Sequence, residues 1–576
     1  MKKLIQDPRV KYAFILFHVL CSFLWAGHVF KNLGVIAIGT KVVNPIVSDR
    51  FETVMARVLS ECFAILIIWC FWQLVFHLLQ KFRKSYMVFL AIWLIGLILL
   101  LLGWPAVFEQ SNDNYITYSC AVRLTPDYWH CAYSGFVYAG CLLFFPADFM
   151  ITVVQWSFMA FLLAYAFYRL ETIAPRLRFL IFGFWLLPNT YLMSQDSYRI
   201  LQYLIVALLY LVILFSDILE NRERTTKEAL GLAALGAFLC VWRTEGAIFS
   251  FVFYLIHVIC TQKGTIWSKS KRLLCFIILF FLIMIPQKIG EIKYYGNDYF
   301  VINSMYPLQC LLNDPNTDLG YARAAQDLEA IEAVVPVAVV KEYGLDGYRR
   351  YNYHVKGNPD FNQSTATKEQ SKALLSAYVS ILLHNPGNAA KLVWDNVLYA
   401  FSARHAYYWA VPIPEEEHVP LAQWGTEMWS NTAFDLYSNA HTVKWAELVS
   451  SLGLGQKLTG FWVNYKAKLF QKRIFFYAFF VFLAINLIIF LAGTILSLRK
   501  KDGKYFAFGL SGLAMLGEYA AILLVAPVPA SVYFLIADYV TIALGGYAFL
   551  FYTRRIQVKT ENGRADQEVA DQKADQ

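Results

Sequence analysis

Charge is what this sequence has least of. Asp, Glu, Lys and Arg make up 16% of its 576 residues, where soluble domains carry roughly 25%. A water-soluble globular chain is excluded on that ground. The net charge of +9 is not gathered into a basic run. Lys and Arg sit in short segments between apolar stretches, which is the pattern of topology signals and not of nucleic-acid binding. Clusters of Cys and His at metal-ligand spacing are also missing. Most of the ten cysteines, including Cys21, Cys62, Cys70, Cys141, Cys240, Cys260 and Cys275, lie inside apolar runs and read as small core hydrophobes. Cys120 and Cys131 share a polar stretch, and both a disulfide and two free thiols fit that placement. After Met1-Lys2-Lys3 and the apolar run from Tyr12 there is no small-residue cleavage site, so the first run reads as an uncleaved anchor. Internal repeats and inverted symmetry are absent as well, which counts against the repeat-built transporters.

What fills the sequence is apolar and aromatic: 58% hydrophobic and 17% Phe, Trp and Tyr. Many runs approach the ~20 residues that cross a bilayer as a helix. About twelve spans are expected, at 12–30, 57–79, 86–104, 147–168, 178–193, 200–217, 229–242, 246–261, 273–289, 474–497, 505–526 and 531–552. The fold class is therefore an all-α polytopic membrane protein. Alternate connections are basic: Lys81, Arg83 and Lys84; Arg169, Arg176 and Arg178; Arg222, Arg224 and Lys227; Lys269, Lys271 and Arg272; Arg499, Lys500, Lys501 and Lys504; Arg554 and Arg555. The positive-inside rule makes these cytoplasmic and puts both termini inside the cell membrane. The chain then divides into an N-terminal membrane domain of about nine spans (1–289, with an outer loop at 105–146), an extracytoplasmic insert (290–473), C-terminal spans (474–556) and a polar cytoplasmic tail (557–576) that reads as disordered. Amphipathic stretches near 318–342, 366–383 and 386–403 make the insert mostly helical, packed over the 105–146 stretch.

The first long polar interruption runs from Trp104 to Pro146. It holds Glu109, Asp113, Asp127 and His130 among Trp104, Tyr115, Tyr118, Tyr128, Trp129 and Tyr133. Acids beside aromatics at a membrane surface suit a sugar or a lipid headgroup; a solvated loop anchored by its Trp and Tyr explains the same residues. Further ionisable residues fall at the outer level: Glu61, Asp148, Asp196, Arg199, Lys288, Glu291, Glu518 and Asp538. Charge within a span costs about 2.5–3.5 kcal/mol on insertion scales and usually faces a partner or a wet cavity. The sharpest piece is the hairpin Trp242-Arg243-Thr244-Glu245-Gly246. Its arms are short for full spans, so its tip dips below the outer surface and offers Arg243 to a lipid phosphate. Arg suits phosphate because its planar fork donates two hydrogen bonds and keeps its charge. An ion pair of Arg243 with Glu245 or Asp196 that only packs helices is the competing reading.

Together the acidic loop FEQSNDNY, the turn PNTYLMSQDS, the hairpin WRTEG and a large insert before the last spans resemble the GT-C class of integral membrane glycosyltransferases, nearest to its multi-pass bacterial members. The resemblance implies an inverting transfer of sugar from a polyprenyl-phosphate carrier to a glycan, lipid or protein acceptor on the outer face. It implies Asp113 as the catalytic carboxylate and Arg243 as the phosphate ligand. Asp196 falls at the later outer turn, with Arg199, Glu109, His130 and Glu245 as further substrate contacts. Two departures stand out. The acidic loop follows the third span, not the first, and the stretch PVPASVYFLIADYV lacks the Arg of the class's late segment. A divalent metal at the carboxylates is left open. A transporter or flippase of lipid-linked saccharides and a non-catalytic envelope assembly protein are the other readings.

Overall fold

The structure is a computed structural model. It describes residues 7–33, scattered positions between 62 and 79, 84–103, Thr117, Ala121, 131–142, 149–173, Pro175, 199–243, 246–261, 265–295, 308–342, 366–401, 468–469, 472–525 and 531–553. Among the described residues nearly everything is helix and nothing is strand. In chain order the helices are α1 (Pro8–Leu33), α2 (Lys84–Gly103), α3 (Ala132–Leu142), α4 (Phe149–Ile173), α5 (Arg199–Glu220), α6 (Thr226–Trp242), α7 (Gly246–Thr261), α8 (Ile266–Tyr295), α9 (Ala324–Glu332), α10 (Val337–Glu342), α11 (Lys368–His384), α12 (Pro386–Ala400), α13 (Ile474–Lys500), α14 (Gly503–Val525) and α15 (Ser531–Thr553).

Six of these stretches are long and apolar enough to cross a membrane: Val153–Thr172, Tyr203–Glu220, Ile266–Glu291, Ile474–Lys500, Gly503–Leu523 and Phe534–Thr553. Lys84–Gly96 and Gly246–Thr261 are shorter apolar helices. The set marks a membrane protein, and it is coarser than the twelve spans expected. The expected span at 178–193 lies outside the described residues, and 57–79 is described only at scattered helical positions. Where helices are described, they follow the apolar runs but extend past them. The expected 273–289 run is the middle of the 30-residue α8, whose polar first turns continue the helix toward solvent and which carries Pro286 internally.

Burial sorts the helices. The α5 span has 83% of its length covered by protein, whereas the α8 and α13 spans have 17% each and turn Leu, Ile and Phe outward. α5 packs on α4, α6, α7 and α15 and is the axis of the bundle. α13 and α14 approach closely because the crossing is glycine: a Cβ on Gly512 would stand 2.3 Å from the Asn486 carbonyl, and one on Gly493 would stand 2.7 Å from Gly509 Cα. Small residues allow that approach in a bilayer, where dispersion contacts replace the hydrophobic effect between helices.

The insert has its own small core of Leu308, Leu311, Ile331, Val334, Val335, Leu374, Ala377 and Ile381. Its expected helix at 318–342 is broken in two. Pro336 disfavours the α region at Val335, so α9 ends and α10 begins around it. Thr367 and Gln370 form a capping box that starts α11, and Pro386 at the first position of α12 restarts the helix after Asn385. α12 ties the insert to the bundle. Asn396 Nδ2 donates to the Leu523 carbonyl at 2.9 Å, Trp394 meets Phe476, and Phe401 packs on Phe479 and Phe534. The described contacts of α12 run to the C-terminal helices; most of the 105–146 stretch, over which the insert is expected to sit, lies outside the described residues.

Candidate functional site

Among the described residues three polar places interrupt the bundle, and helix pairing decides their level. Arg169 pairs with Glu220, Arg272 donates to the Arg224 carbonyl, and Cys260 lies against the Lys504 carbonyl. The basic connections therefore gather at one end.

The hairpin of α6 and α7 points to the other end. Its arms have 17 and 16 residues. At ~1.5 Å per residue each is about 25 Å long, short of a ~30 Å hydrocarbon core. Arg243 is the C-cap of α6 in extended geometry and is half-buried. Its amide donates to the Leu239 carbonyl at 3.4 Å, and its carbonyl accepts from Gly246 at 3.1 Å, which closes the turn. A side chain at 246 would have to displace the Tyr203 ring, because a Cβ there would stand 1.4 Å from Tyr203 Oη. Beside Arg243, Trp242 Nε1 donates to Ser134 Oγ at 3.2 Å, and its ring meets Tyr203 edge-on. Ser134 opens α3, the end of the Trp104–Pro146 stretch. The first turn of α3 is fixed to α8: the Ala132 amide donates to Gln287 Oε1 at 2.6 Å, and Tyr133 Oη donates to the Ile283 carbonyl at 2.7 Å. Gln287 Nε2 in turn donates to Glu291, which Lys288 pairs.

The tip of the hairpin thus meets the end of the acidic loop and the opening of α5. Arg199 is the first residue of α5. Glu109, Asp113, His130, Asp196 and Glu245 lie outside the described residues, so of the expected site only Arg243 and the backbone of Arg199 are placed. Cys131, the described member of the Cys120–Cys131 pair, is buried, and Cys120 lies outside the described residues. Among the described residues no three His, Cys, Asp or Glu side chains stand together as a metal site would need.

The second place was missed by the sequence reading. Asp217, with no exposed surface, accepts from Arg224 Nε at 2.7 Å and Nη2 at 2.9 Å and lies 3.2 Å from His257 Nε2. Glu228 pairs with Arg224 and Arg222 and closes a capping box with Thr225 at the start of α6. Burial works against the Arg224 charge. The Asp217 hydrogen bonds and charge outweigh it, so the guanidinium is held above its ordinary value. The signal was an Asp inside the apolar run ILFSDILE seven residues before an Arg; Arg222 and Arg224 read as topology signals alone.

The third place lies in the C-terminal helices. Tyr519 Oη donates to Asp538 Oδ1 at 2.6 Å, Asn486 Nδ2 donates to Thr541 Oγ1 at 2.9 Å, and Glu518 is buried nearby on α14. Compared with family models, with curated proteins and with solved structures, the chain matches none of them.

Proposed function

We propose that the chain is a GT-C-like, inverting membrane glycosyltransferase that moves a sugar from a polyprenyl-phosphate donor to an acceptor at the outer face. One observation carries the reading: a half-buried Arg243 at the tip of a short hairpin, set against the end of the Trp104–Pro146 stretch and the opening of α5. Placed below the membrane surface, such an Arg suits the anionic group that depth supplies, a lipid phosphate. By the positive-inside rule the end bearing Arg169, Arg222, Arg224 and Lys269 is cytoplasmic, which makes the Arg243 end the outer one.

In this reading Asp113 takes the proton of the acceptor hydroxyl while the acceptor oxygen bonds to the anomeric carbon. The bond from that carbon to the phosphate oxygen breaks, its electron pair leaves with the phosphate, and Arg243 stabilises the charge that grows there. Asp196, Arg199, Glu109, His130 and Glu245 hold substrate around that centre.

The test is sugar transfer from a labelled polyprenyl-phosphate sugar by the full chain in vesicles. Asp113→Ala is expected to abolish turnover and leave donor binding in place. Donor crossing the vesicle without any transfer would replace this reading with the flippase, and neither binding nor transfer would leave an assembly protein.

A further inference from the structure

At the basic end of the bundle the cations divide into two kinds. Arg169, Arg222 and Arg224 face carboxylates of the chain itself: Glu220, Glu228 and Asp217. The three cations in the opening turns of α8 do not. Lys269 donates to the Ile259 carbonyl at 3.1 Å, and Arg272 donates to the Arg224 carbonyl at 3.0 Å. The Lys271 ammonium stands 5.5 Å from the centre of the Trp267 ring. A carbonyl or a ring face occupies a donor but carries no negative charge to answer it. Lys504 lies close by: its carbonyl meets Cys260 Sγ on the last turn of α7, the turn whose Ile259 carbonyl Lys269 holds.

The level of these charges follows from α8 itself. Trp267 is 70% exposed, and Lys271 is exposed one turn further on. Beyond them Leu274, Ile278, Phe281, Ile285 and Ile289 turn outward at steps of three and four residues, so they share one apolar face. α6 packs on α8. From Lys271 to Ile289 the outward stripe is about 27 Å long at ~1.5 Å per residue, close to the ~30 Å of a hydrocarbon core. At its far end Lys288 is answered by Glu291. At its near end Lys271 stands at the depth of the lipid phosphates, beside a Trp of the kind that membrane–water interfaces favour.

We infer that the opening turns of α8 bind an anionic phospholipid of the leaflet at the basic end, cytoplasmic by the positive-inside rule. The Lys271 ammonium takes the phosphate, Lys269 and Arg272 supply positive potential behind it, and an acyl chain lies along Leu274 and Ile278. Phosphatidylcholine and phosphatidylethanolamine carry a cation of their own beside the phosphate. A lipid with net negative charge does not, and basic clusters at the cytoplasmic ends of spans select it. Trp267 is the positioning residue: its ring holds the ammonium over the outward stripe. Nothing here rests on the transferase reading, because the contact lies at the other end of the bundle and needs no sugar.

The test uses the full chain carrying photoreactive benzoylphenylalanine in place of Ser270, an exposed position between the cations. The vesicles hold phosphatidylcholine and phosphatidylglycerol in equal amounts, and lipid adducts formed on illumination are read by mass spectrometry. Phosphatidylglycerol adducts are expected to exceed phosphatidylcholine adducts several-fold. Lys271→Gln should bring the two close to parity, and Trp267→Leu should take the ratio part of the way. Lys501→Gln, which removes the same charge from the turn between α13 and α14, should leave most of the preference. Adducts that follow the bulk composition, or adducts to protein in place of lipid, would overturn the proposal. Equal losses from Lys271→Gln and Lys501→Gln would overturn it as well, because a diffuse surface charge would then set the ratio. Inorganic phosphate, added against chloride at matched ionic strength, should change nothing. Loss of the preference there would assign the contact to free phosphate and overturn the lipid.

Discussion

At the basic end of the bundle Asp217 accepts two hydrogen bonds from Arg224 and faces His257. At the opposite level Asp538 accepts one hydrogen bond from a neutral tyrosine. Both are aspartates on helices long and apolar enough to span. The first is fully enclosed and its charge is answered by Arg224, while the second has a neutral partner among the described residues. Desolvating a carboxylate costs several kcal/mol, and a buried pair recovers that only when its geometry and remaining hydrogen bonds are good. Asp217 meets that condition inside the fold, so its work is to hold α5, α6 and α7 in register.

The closed end is where a single substitution should do most damage. Asp217→Ala leaves Arg224 and His257 facing each other without their acceptor, and removing one partner of a buried pair costs about 3–5 kcal/mol. Unfolding in detergent, followed by loss of helical signal, should show a loss of that order. Replacing Asp217, Arg224 and His257 together by Leu should return much of it, since apolar side chains need no acceptor. A small loss from the single change would break the comparison, because the network would then not be holding the helices.

Arg243→Ala should act at the opposite level, and on function more than on folding. Hydrogen bonds to charged groups are worth ~1.5–3 kcal/mol, or roughly 10- to 150-fold in affinity. Donor binding and turnover should both fall within that range while the unfolding curve stays close to wild type. Arg243→Lys should recover little, because an ammonium cannot make the two-pronged phosphate contact. Full recovery by Lys would show that charge alone matters there.

The comparison also explains what the sequence made legible. Depth was legible: alternating basic connections placed Arg243 and Asp538 at one level and the 217–228 region at the other, because periodicity and charge are local properties. Helix existence was legible for the same reason, with errors where local chemistry was overlooked, as at Pro336. Partnership was not legible. Asp217 meets His257 across forty residues, and Tyr519 meets Asp538 across nineteen; neither spacing has a signature, since the packing of separate helices creates it. The tie of the insert to the bundle was not legible either, because Asn396 reaches Leu523 across 127 residues.

A smaller effect is expected at the hairpin. A Cβ on Gly246 would stand 1.4 Å from Tyr203 Oη and 2.6 Å from its Cζ. Overpacking of that kind typically costs ~1–3 kcal/mol, so Gly246→Ala should destabilise the fold by that order and tilt the tip. Tyr203→Phe added to it should restore only part, because the ring carbon remains too close after the hydroxyl is gone. Donor binding should fall with Gly246→Ala even though Arg243 is untouched. If binding is unchanged, the placement of the tip does not matter, and the hairpin end loses its claim to a built geometry.

The smallest effect is expected where the same chemistry is moved into water. Asp314 and Lys391 pair at 2.8 Å between the 308–319 segment and α12, but the Lys391 side chain is half exposed, and such pairs contribute little. The Lys391 ammonium and the Asn316 amide hold the Asp314 carboxyl below its ordinary 3.8, and Asp314 holds the Lys391 ammonium above its ordinary 10.5. The signs follow from linkage. A depressed carboxyl contributes stability that is present above its ordinary value and lost as pH falls through the lowered one. A raised ammonium contributes stability that is present below its ordinary value and lost as pH rises through the raised one. The pair should therefore support the insert on a plateau between those limits and fade at both edges. Asp314→Asn should flatten both edges, and Lys391→Met the alkaline edge together with most of the acid edge, each by a margin that shrinks with added salt. Asp217→Ala, enclosed by protein, should show almost no salt dependence. If the two substitutions respond to salt alike, burial is not what separates the closed network from an ordinary surface pair.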